Sequence, residues 1–75
     1  MLVGYSTVRH YDMRRDAEVN RISAQDEQGA VWWVTVPVAD SGARRRADRE
    51  RALSALEDAA ARGDPPGEVV LEWVA

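Results

Sequence analysis

Between Gly29 and Ala39 the chain reads Ala-Val-Trp-Trp-Val-Thr-Val-Pro-Val, and this run constrains the fold more than any other. β-Branched and aromatic residues fill it, the composition that suits a pleated, packed surface. Strand alternation puts Trp32, Val34, Val36 and Val38 on one face and Val31, Trp33 and Thr35 on the other. Neither face is strongly polar. A sheet with one wet face carries polar residues on its outer side. The second face therefore calls for cover, from the rest of the chain or from a partner. Val31, Trp33 and Thr35 are accordingly the candidate interface residues.

The polar stretch Asp26-Glu27-Gln28-Gly29 precedes this run and reads as a hairpin turn, with Gly29 free to adopt positive φ. Ala17–Gln25 is the expected partner strand, giving a hairpin over residues 17–38; a helical reading of Asp12–Ala24 stays open. Pro37 has no N–H, so pairing should fail there on one side. Residues 1–16 form an N-terminal strand or arm: Leu2, Val3, Tyr5, Val8, Tyr11 and Met13 fit no single period.

Further on, Ala52, Leu53, Leu56, Ala59 and Ala60 follow helical spacing and form one apolar stripe. Gly63 is placed to end that helix, and Pro65-Pro66 prevents its continuation. Extending the helix back to Ala43 would set Arg45 and Arg49 on the apolar stripe and put arginines at the positive end of the dipole. An N-cap at Asp48 avoids that conflict. The expected helix is therefore 48–62, with Ser41–Ala47 as a loop or short strand. Residues 67–74 read as a closing strand, with Val69, Leu71 and Trp73 on one face and Glu68, Val70, Glu72 and Val74 on the other.

These elements predict a single α+β domain over residues 1–75: a small antiparallel sheet, made of a β-hairpin, a C-terminal strand and an N-terminal strand or arm, with one helix packed on one face. At 75 residues without cysteine, the chain has no disulfide or thiolate metal site to staple it. Oligomerisation is an expected source of added stability, and a homodimer through the hairpin strand is the expected form. The same lack of cysteine favours a reducing cytoplasm, and no stretch approaches the length of an apolar membrane span.

The hairpin leading into Trp32-Trp33-Val34-Thr35-Val36-Pro37 carries a family resemblance. An Arg-rich segment, an Ala/Leu/Glu helix and an Asp-Pro-Pro loop into a final apolar strand extend it. From Ala17 to Val74 the chain resembles the HicB-type antitoxins, whose fold is also described as partial ribonuclease-H-like. In place of that family's usual Pro-Gly turn it has Val38-Ala39-Asp40-Ser41-Gly42. The resemblance implies a dimerising module that binds a partner protein. All ten basic residues are arginine, as a GC-rich bacterial or phage genome would produce. Val8-Arg9-His10-Tyr11-Asp12 is similar to a short helix motif of MerR-type regulators, but only seven residues precede it and Gly4 interrupts them, too little for the helix that should come first.

Signals for chemistry are sparse. His10 is the only imidazole and lies between Arg9 and Tyr11 with no nucleophile patterned beside it. Asp12, Asp16 and Glu18 lie amid Arg14 and Arg15 and read as a salt-bridged surface. No Gly-rich phosphate loop is present. The sequence thus predicts neither catalysis nor a metal, cofactor or small-molecule substrate. Arg44, Arg45, Arg46, Arg49 and Arg51 form a local basic cluster that could position phosphates, with Trp32 or Trp33 to stack on bases. Asp48 and Glu50 interrupt it, and the whole chain has a net charge of −3. Nucleic-acid binding is therefore the second reading. A non-catalytic protein-interaction module, antitoxin-like or a phage-encoded binder of a bacterial host protein, is the first.

Overall fold

The computed structural model describes residues 1–73. Five elements follow in order: β1 (Leu2–Asp12), β2 (Ala17–Asp26), β3 (Val31–Pro37), α1 (Gly42–Arg62) and β4 (Gly67–Glu68). The sheet order is β1-β2-β3-β4, and α1 lies on one face, the α+β arrangement that the sequence predicts. Val74, assigned from sequence to the last strand, lies outside the described residues.

The β2–β3 hairpin closes as its turn residues require. The Asp26 carboxylate accepts from the backbone N–H of Gln28 and of Ala30, both at 2.9 Å, and Gly29 adopts φ +86°. The β2–β3 register runs from Gln25↔Val31 to Val19↔Pro37, so the ladder ends at the proline. The open helical reading of Asp12–Ala24 gives way to a second hairpin. β1 and β2 pair from Asp12↔Ala17 back to Leu2↔Asp26, with an irregularity between Leu2 and Gly4. Asp12 accepts from the Arg14 N–H within that turn, and Asp16 takes φ +51°.

The face holding Trp32, Val34 and Val36 meets the helix. Those three residues join Ile22, Ala24, Ala52, Leu56 and Ala59 in the buried core, with Leu56 and Val34 wholly shielded. The stripe read from sequence is thus the contact face of α1. The end of the helix also follows expectation: Gly63 at φ +72° donates to the Ala60 carbonyl, and Asp64 N–H reaches back to Ala59. This is the paired bonding of a Schellman cap. The Trp32 indole N–H donates to the Asp64 carbonyl at 3.2 Å, fastening β3 to that cap. Arg62 bonds Asp64 at 2.8 Å; that hydrogen bond, and then the carboxylate's charge, raise its pKa above the ordinary arginine value.

Two boundaries differ from the sequence reading. The helix starts at Gly42, not Asp48. Ser41 is the N-cap, its hydroxyl accepting from the Arg44 N–H at 3.1 Å. Asp48 serves instead as an i, i+4 partner for Arg44 at 3.8 Å. Arg45 and Arg49 do not intrude on the core: both stay exposed at its rim, beside Thr7 and Asn20 as well as Ile22, Val36 and Pro37. The second difference is in the sheet, which is mixed and not wholly antiparallel. β4 runs parallel to β3, pairing Trp32↔Gly67 and Trp33↔Glu68. A connection that crosses the sheet through a helix returns the chain in the parallel sense. The ladder covers only two residues of the expected strand, but Val69 N–H still bonds the Trp33 carbonyl at 2.8 Å. Val69, Leu71 and Trp73 pack against the core as their alternation predicts.

Candidate protein-binding surface

The register of the sheet builds its second face row by row. Opposed residues in an antiparallel pair point to the same side. One row is therefore Val8, Arg21 and Thr35; the next is Ser6, Ser23 and Trp33, with Glu68 beyond; a third is His10, Val19 and Pro37. No helix lies on this side. Among the described residues, α1 is the only helix, and it covers the opposite face.

Local contacts nevertheless shield part of the surface. The Arg21 guanidinium lies over the Trp33 ring, 5.3 Å from its centroid. The Thr35 hydroxyl donates to the Glu68 carboxylate at 3.2 Å, and Thr35 is only 9% exposed. Val31 and Trp33 remain partly exposed. The three residues predicted as an interface do share this face, but only Val31 and Trp33 present surface; Thr35 is buried, its hydroxyl taken by Glu68. The sequence reading missed two more contributors. Val8 on β1 is 57% exposed, and Val70, beyond β4 on the same face by alternation, is 79% exposed. Their signal was present in β-branched residues on segments whose placement in the sheet could not be read locally.

His10 also belongs to this face. Its Nδ1 donates to the adjacent Tyr11 carbonyl at 3.3 Å, while Nε2 is buried with no hydrogen-bond partner. The motif Val8–Asp12 is strand here, not helix. The acids near it are tied to arginines, Glu18 to Arg9 at 3.8 Å and Asp12 to Arg15 at 3.5 Å. Among the described residues no group of three or more His, Cys, Asp or Glu is placed to hold a metal ion.

The arginine cluster does not converge. At about 100° per residue, Arg44 and Arg51 fall on one side of α1, and Arg45, Arg49 and Arg46 are spread over another. Arg51 sits 4.8 Å from the centroid of the Trp73 ring and donates to the Glu72 carbonyl. Trp32 is buried beneath the helix, and Trp33 points from the opposite side of the sheet. Arginine cluster and accessible tryptophan are thus separated by the sheet itself. Among the described residues no helix is long and apolar enough to cross a membrane. No family model, curated protein or solved structure matches this chain.

Proposed function

We propose that this chain is a non-catalytic protein–protein interaction module, homodimeric, and either antitoxin-like or a phage-encoded binder of a bacterial host protein in the cytoplasm. One observation carries the reading: among the described residues the sheet has a helix on one side only, and the other side carries partly exposed Trp33 and Val31 with exposed Val8 and Val70. Tryptophan and arginine are the side chains most often found as energetic anchors in interfaces, and here they are stacked together. The resemblance to HicB-type antitoxins over residues 17–74 supports the choice of a protein partner.

The arginine cluster supports nucleic-acid binding less well, because it is spread around the helix and faces away from Trp33. The test is co-purification with the product of the adjacent gene, comparing the parent with Trp33→Ala and Arg21→Ala. The reading expects both variants to lose binding while retaining the parent far-UV spectrum. Binding unaffected by either substitution would remove the Trp33 face from the function.

A further inference from the structure

Among the described residues β1 leaves one edge of an eleven-residue strand unpaired, because its only neighbour there is β2 at the end of the sheet. Most of the strand is exposed on both faces. Long, flat edges recruit other strands, and chains usually guard them with proline, lysine or an added cover. From Val3 to Val8 this edge has neither charge nor proline. The opposite edge differs sharply: β4 is two residues long, follows Pro65-Pro66 and begins an extended segment bearing Glu68 and Glu72.

Beside β1, on the helix side, lie two separate depressions. Arg45, Asp48 and Arg49 line one with Thr7 and Asn20. Glu57 and Asp58 line the other, with Leu2 and Tyr5, and make it acidic. Arg9 lies on the same face as Thr7, opposite Asn20; its guanidinium pairs with Glu18 at 3.8 Å but stays about half exposed. The acidic depression lies toward the N-terminus of β1, and Arg9 toward its C-terminus.

We infer that a second copy of this chain pairs antiparallel along β1, with Thr7 on the two-fold axis, to make one continuous eight-stranded sheet. This deepens the homodimer part of the proposed function by naming its contact. The midpoint of Leu2–Asp12 is Thr7, so this register engages the strand over its whole length. It sets Thr7 against itself, Ser6 against Val8 and Tyr5 against Arg9, with no like charges opposed. Each Arg9 then meets the partner's acidic depression, beside Tyr5, Glu57 and Asp58. Two-fold symmetry satisfies this twice, which an isologous interface requires. An unrelated extended peptide would gain the same backbone bonds but lacks this reciprocal match of Arg9 to Glu57 and Asp58. A two-fold axis normal to the sheet puts both helices on one side. Both Trp33 faces then lie together on the other, free for a partner protein.

Sedimentation of the full chain across micromolar concentrations tests this, with Thr7→Asp, Arg9→Glu and Trp33→Ala. The expected parent is a dimer. Thr7→Asp opposes two carboxylates and should weaken association at least tenfold, with an unchanged far-UV spectrum. Arg9→Glu should weaken it as well, and adding Glu57→Arg with Asp58→Arg should restore it. The restored triple variant also shows that Arg9→Glu had not simply unfolded the chain. A triple variant that stays monomeric overturns the pairing register. A dimer lost with Trp33→Ala but kept with Thr7→Asp overturns the β1 contact while leaving a homodimer in place. A parent that is monomeric at several hundred micromolar overturns both.

Discussion

Trp32 and Trp33 are adjacent in sequence, identical in chemistry and placed on opposite sides of the sheet, so truncating each in turn measures what the helix contributes. Trp32 is 5% exposed, packs among Val34, Leu56 and Ala59, and donates its indole N–H to the Asp64 carbonyl. Trp32→Ala leaves a cavity under the helix and a capping-loop carbonyl without its partner. Core Trp→Ala changes cost about 3–5 kcal/mol. Trp33 loses a stacked guanidinium, worth about 0.5–1 kcal/mol, and some packing along the strand. Solvent then fills the space, so its total cost should be about 1–2 kcal/mol.

A 75-residue domain has a stability on the order of 4–11 kcal/mol in all. Each kcal/mol moves the melting temperature of such a domain by about 4–8 °C. Trp32→Ala should therefore lower Tm by roughly 12–40 °C, enough to unfold a marginal parent, and Trp33→Ala by roughly 4–16 °C. Thermal and urea melts followed by far-UV circular dichroism give both numbers. The comparison is made at a dilution where the chain is monomeric, since dimerisation would add stability of its own. Equal losses, or a larger loss at Trp33, would mean that the helix does not cover the Trp32 face.

Other substitutions probe the remaining supports. Ser41→Ala should cost about 1 kcal/mol by removing the cap hydroxyl from the Arg44 N–H, whereas Asp48→Ala should cost only about 0.3–0.5 kcal/mol, the worth of a helical i, i+4 pair. Urea midpoints reversed in that order would return the helix start to Asp48. Leu56→Ala empties a fully shielded site and should cost about 2–5 kcal/mol, read as a shift in midpoint with little change in m-value. With the arginines of α1 dispersed, electrophoresis with duplex or single-stranded DNA at low salt should give no mobility shift. A shift that weakens steeply with added salt would revive the nucleic-acid reading.

How far the chain could be read without its structure depended on whether each segment's neighbours were local. The β2–β3 turn was legible because Asp26 and Gly29 close it within five residues. The stripe of α1 and its Gly63 cap were legible because helical spacing and αL geometry are local as well. β1 was not. Its apolar residues follow no period because most of that strand stays exposed, so little burial imposes alternation. The start of α1 was misread for a related reason. Arg45 and Arg49 look misplaced on an apolar stripe until the structure shows both exposed at the rim of the core, where Thr7 and Asn20 adjoin Ile22 and Val36.

The sequence by itself determined that β3 would be a strand apolar on both sides, that a single helix would cover one side, and where that helix would stop. Only the tertiary structure decided which tryptophan goes under the helix and that the last strand runs parallel to β3. It also decided that Thr35 is taken up by Glu68 and that the exposed edge belongs to β1. Those outcomes depend on which strands become neighbours. That choice is made by contacts between residues far apart in the chain, which no local pattern encodes.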